Sequence, residues 1–284
     1  MQKGILFFLP VLLAISVNCK NSKIAPFPSA KAIVYPQQSK DSVNFSRNNH
    51  GITTIHVFVA LCDNKYQGIV PVPSMIGNGQ DAVHNLYWGA ANGVKSFFSK
   101  SAEWKLVKIT LQPSDNIIER LLFKNKNENV YLLADAYNGK YIRQATIDFL
   151  SSLSGNLNTG IVAGSDTIYF GGSADLCAYI GHDGLMDFTL SQQFISEGNK
   201  KHTAIILACY SKSYFSGFIK STEASPLLWT NGLMAPEAYT LHDALHAWIK
   251  NEKAEEIRAA AAKAYSKYQH CSNKAAMNLL TTGW

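Results

Sequence analysis

Apolar and polar positions along the chain fall into short hydrophobic runs separated by segments of helical period. Thr54–Cys62 is a nearly continuous apolar run, which predicts a strand buried on both faces. A loop rich in Gly, Pro and Asn follows, from Asp63 to Val83. Asn85–Phe98 then shows helical spacing, with Asp81 placed to cap it. Trp104–Leu111 alternates like a strand, and Asn129–Asp135 is a further apolar run. Gly139–Ser154 reads as a helix. Leu176–Gly184 and Ala204–Ser211 hold two more buried runs, with a polar insert between them. Pro226–Thr230 is a short strand, and Leu241–Ile249 and Glu252–Gln269 are helices. Strands alternating with helices predict an α/β fold whose mostly parallel sheet is covered on both faces, a three-layer sandwich.

The chain has 284 residues, of which 47% are hydrophobic, 11% aromatic and only 16% charged. That balance specifies a folded globule rather than a disordered segment. The formal charge is +6, but the basic residues are scattered rather than striped, so nucleic acid is not an expected partner. No Walker-type loop or dinucleotide fingerprint is present, and no cofactor is expected.

Two of the buried runs end in reactive residues. Leu176-Cys-Ala-Tyr-Ile-Gly-His182-Asp183-Gly184 ends in a histidine, and Ala204-Ile-Ile-Leu-Ala-Cys209 in a cysteine. Ligands of open parallel sheets bind outside the carboxyl ends of the strands. If the two strands are neighbours, His182 and Cys209 face one cleft there, and an imidazole beside a thiol is the minimal machinery of a cysteine nucleophile. The other cysteines carry less. Cys62 and Cys177 lie within apolar runs and read as core, and Cys271 follows the last long helix. His242 and His246, four apart on one helix face, have a spacing that can bind zinc, but there is no accompanying Glu and no third ligand, so no metal is expected.

Tyr179-Ile-Gly-His182-Asp-Gly184 and Leu207-Ala-Cys209 resemble the motifs of the caspase, legumain and gingipain clan of cysteine peptidases. In that clan the catalytic His ends one strand within a His-Gly motif, and the catalytic Cys ends the next. The resemblance spans about residues 51 to 250. It implies a caspase-like sheet, a His182/Cys209 dyad, a peptide or protein substrate, and an oxyanion held by backbone N–H groups of Cys209 and of the His182–Gly184 turn. The loop after the first strand would line the same face, making Gln67, Asn78, Gln80 and Asp81 candidate substrate contacts. Two departures stand out. Asp183 separates the histidine from Gly184, and Leu207 and Ser211 occupy positions where the caspase-type motif has Gln and Gly. An inward-pointing Asp183 would oppose a developing oxyanion. The alternative reading is therefore a catalytically inactive caspase-like scaffold that binds its partner.

The amino terminus reads as targeting sequence. Lys3 precedes an apolar stretch, Gly4–Val17, interrupted by Pro10 and too short to span a bilayer comfortably. Ser16-Val17-Asn18-Cys19 resembles a bacterial lipoprotein processing site, which implies lipidation of Cys19 and a membrane-anchored protein of the cell envelope, with plain secretion as the alternative. Residues 1–18 are thus expected to be a signal peptide, 19–50 a Pro- and Ser-containing tether, and 51–284 the folded domain.

Overall fold

A computed structural model describes residues 51–196 and 200–284. The expected signal peptide, Cys19 and the tether lie outside the described residues.

The apolar runs form the strands of one sheet, in chain order β1 (Thr53–Ala60), β2 (Trp104–Ser114), β3 (Ile117–Asn125), β4 (Val130–Tyr137), β7 (Leu176–Ile180), β8 (Thr203–Leu207), β9 (Ser225–Thr230) and β10 (Leu280–Thr281). The spatial order is β10-β9-β8-β7-β1-β4-β3-β2. The five strands from β9 to β4 run parallel, and β10, β3 and β2 pair antiparallel at the two sides. β5 (Asn158–Ala163) and β6 (Asp166–Gly171) form a separate antiparallel hairpin.

Six helices complete the described chain: α1 (Val94–Lys100), α2 (Ile142–Leu153), α3 (Ser211–Ser221), α4 (Ala238–Ile249), α5 (Ala254–Gln269) and α6 (Asn273–Leu279). Successive strand residues point to opposite faces, and the core divides accordingly. Ile55, Val57 and Val59 of β1 pack with α1, α4 and α5, whereas Phe58 and Ala60 pack with α2 and α3. The hairpin covers Leu122 and Leu133 through Ile168 and Phe170. The fold is thus α/β, with a large, mostly parallel sheet flanked by helices on both faces. Among the described residues, no helix is long and apolar enough to cross a membrane.

The helix expected over Asn85–Phe98 shortens to α1. Before it the chain turns, because the Asn85 carboxamide is drawn to the end of β1, accepting from the Cys62 N–H at 3.1 Å and donating to the Cys62 carbonyl at 2.8 Å. Asp81 caps that turn, accepting from the N–H groups of Val83 and His84.

Candidate active site

The chain leaves β1 for β4 on one side and later returns to place β7 on the other. The crevice at the carboxyl ends of β1 and β7 is therefore a topological switch point, where open α/β sheets place their ligands. β7 and β8 are parallel neighbours, with Ile180 opposite Leu207 at their ends. His182 and Cys209 each follow two residues beyond this pair, and the Gly181 N–H donates to the Leu207 carbonyl at 3.3 Å. Both functional groups are thus launched from adjoining strand ends. Gly181 has φ +147°, and a Cβ there would lie 2.7 Å from the Ala60 carbonyl oxygen, so only glycine fits between β7 and β1 at this point.

Cys209 sits on a sharp strand-to-helix turn. Tyr210 adopts the left-handed conformation (φ 49°, ψ 28°) directly before α3, a strained state for a non-glycine residue. Thr230, at the end of β9, holds the turn through its hydroxyl, which donates to the Ala208 carbonyl and accepts the Ser211 N–H. Burial pushes the Cys209 thiol up; the Met234 N–H, which reaches the sulfur at 3.3 Å, opposes this, and the nearby Asp183 charge adds to it.

His182 is buried. The turn that follows it is made by Asp183, whose carboxylate accepts the Leu185 N–H at 3.0 Å and opens a single helical turn, Gly184–Met186. Asp183 is fully buried and its Oδ2 has no partner, so burial pushes its carboxyl up to about 7. Gly184 packs under the Phe188 ring. The turn brings Asp187 back to the imidazole, with Oδ2 2.7 Å from Nε2. Sequence reasoning missed Asp187, which carried no signal beyond being an acid in the polar insert.

The four expected substrate contacts all lie in the loop after β1, and each is engaged within the protein. Gln67 is buried, donating to the carbonyls of Leu61 (2.7 Å) and Gly139 (3.1 Å) and accepting the Asp63 N–H. Asn78 accepts the Gln80 N–H, and Gln80 donates to Asp63 and Asn138. Asp81 also pairs with the His84 ring at 2.7 Å.

The two histidines of α4 point to different partners: His242 to Ser101 and Asp243, His246 to Glu103. Among the described residues, no group of three or more His, Cys, Asp or Glu side chains is arranged to hold a metal ion. Of the described cysteines, Cys62 and Cys177 are buried, and Cys209 and Cys271 are partly exposed.

Compared with protein-family models, curated proteins and solved structures, the chain matches none.

Proposed function

We propose that the protein is a cysteine-dependent hydrolase of caspase-like type, acting on a peptide or protein through His182 and Cys209 and held at the cell envelope by a lipid on Cys19. One observation carries the catalytic reading: a histidine and a cysteine stand at equivalent positions past the paired ends of β7 and β8, in a mostly parallel sheet. This is the order the resemblance to the caspase clan calls for.

The chemistry follows from these groups. The imidazole takes the thiol proton, and Cys209 Sγ attacks the carbonyl carbon of the scissile bond. A C–S bond forms, the carbonyl electrons move onto oxygen, and backbone N–H groups at the two strand ends stabilise that oxyanion. On collapse the C–N bond breaks and the imidazolium returns its proton to the leaving amine. Water, deprotonated by the imidazole, then hydrolyses the thioester and restores the thiol.

A second reading, an inactive scaffold that binds its partner, is favoured by the burial of Cys209 and the proximity of Asp183, which both hold the sulfur as a neutral thiol. Incubating the full chain with a mixed peptide library and scoring new termini by mass spectrometry separates the two. Cleavage that disappears in both Cys209→Ala and His182→Ala supports the hydrolase. Equal cleavage by Cys209→Ala ends the nucleophile assignment, and no cleavage by the wild type together with an inert Cys209 favours the scaffold. The anchor is tested by Cys19→Ser, which should move the protein from the detergent phase to the aqueous phase.

A further inference from the structure

His182 is bound to the loop after β1 through a single carboxylate. Asp187 Oδ2, 2.7 Å from His182 Nε2, also accepts the Gly68 N–H at 2.9 Å. The local sequence builds this contact, since the Asp183 cap closes the Gly184–Met186 turn and the Asp187 N–H donates back to the Gly184 carbonyl at 2.9 Å. Partial burial raises the Asp187 carboxyl, but the hydrogen bonds from His182 and Gly68 outweigh it and hold the group below the ordinary carboxylate range. An ionised carboxylate has no proton to donate, so the proton in the His182–Asp187 bond is carried on Nε2. A neutral ring protonated there keeps its lone pair on Nδ1, which has no hydrogen-bond partner among the described residues.

We propose that Asp187 is the positioning residue of His182, fixing the ring's tautomer and orientation so that Nδ1 receives the Cys209 proton, and that Gly68 sets where the Asp187 carboxylate sits. The inference rests on the His182/Cys209 reading and deepens it. Without the carboxylate the imidazole is free to rotate and to carry its proton on the wrong nitrogen. Gly68 matters because a Cβ there would lie 2.3 Å from Asp187 Oδ1. The atom in the way is the far end of a partly exposed side chain, so an alanine displaces the carboxylate rather than unfolding the loop. The loop after β1 thereby bears directly on the imidazole.

The test uses the full chain and iodoacetamide, with alkylation at Cys209 followed by peptide mass spectrometry near neutral pH. His182→Ala should slow labelling, and Asp187→Asn should slow it by about tenfold or more, since a misplaced group loses one to two orders of magnitude in rate. Gly68→Ala should slow it in the same direction with an unchanged melting curve. Asp187→Glu should recover part of the rate. In the His182→Ala background, Asp187→Asn should cost nothing further, a result that a merely structural role would not produce. Wild-type labelling by Asp187→Asn, or an equal loss in the His182→Ala background, overturns the positioning role. Wild-type labelling by Gly68→Ala removes the glycine's part. Wild-type labelling by His182→Ala overturns the dyad reading itself.

Discussion

The Met234 backbone meets the Cys209 sulfur twice: its N–H donates to Sγ across 3.3 Å, and its carbonyl oxygen accepts from the thiol across 3.5 Å. A neutral thiol satisfies both contacts, whereas a thiolate keeps the first and faces the carbonyl dipole with the second. The resting site therefore favours the thiol, in line with the burial that pushes it up. Replacing Cys209 with Ala should abolish peptide cleavage while costing only about 1 kcal/mol of stability, the ordinary scale for a substitution of this kind. Thermal melting beside the cleavage assay checks both halves, and a collapse of the melting transition would make the cysteine chiefly structural.

Asp183 should make stability fall with rising pH. Its carboxyl moves from the ordinary 3.8 to about 7 on folding, chiefly through burial. The folded state thus prefers the protonated acid. That preference is fully present below the unfolded-chain value and is lost as pH rises through about 7, at roughly 1.4 kcal/mol for each tenfold change in proton affinity. Urea midpoints between about pH 4 and about pH 8 should therefore decline in the wild type and flatten in Asp183→Asn. The same variant should alkylate faster at Cys209, since a negative charge that disfavours the thiolate has gone. Parallel pH curves for the two proteins would refute the assignment.

Gln67 should behave as a strut. Its carboxamide spends both ends on the backbone around β1, on Leu61, Asp63 and Gly139. Gln67→Ala leaves buried backbone groups without partners and should lose about 1–3 kcal/mol. Chemical denaturation measures this. A variant of wild-type stability that is altered only in cleavage would make Gln67 a substrate contact after all.

Arg120 should be among the costliest residues to truncate. Its guanidinium holds the fully buried Asp135 carboxylate through bonds of 2.6 and 2.7 Å, and His56 Nε2 lies 3.0 Å from the same carboxylate. Arg120→Ala leaves that charge in the core with only the His56 ring beside it and should cost about 3–5 kcal/mol. The loss should shrink in acid, where the unpaired carboxyl can take up a proton. A loss below about 1 kcal/mol in urea unfolding, the scale of an exposed pair, would show that the cluster is solvated in solution.

The elements that follow a hydrophobic period were legible in the sequence. β1, β4, β7, β8 and β9 are apolar runs because each is buried on both faces, and α2, α4 and α5 keep an apolar stripe toward the sheet. β3 was not legible, because Glu119 and Arg120 interrupt its pattern. They are tolerated there because Trp88 and Lys95 bond Glu119, and Asp135 bonds Arg120, all from elsewhere in the chain. α3 was also missed: its serines and Gly217 give little helical preference, and Phe215 and Ile219 hold it by packing on the core.

The candidate site divides along the same line. That His182 and Cys209 end two buried runs is a property of the sequence, because strand burial and strand ends are local patterns of polarity. That those runs lie side by side, that Asp183 is buried with an unpartnered oxygen, and that the Gly68 N–H reaches the Asp187 carboxylate was decided by tertiary structure alone. Hydrogen bonds and desolvation depend on distances between segments far apart in the chain, and no local period records them.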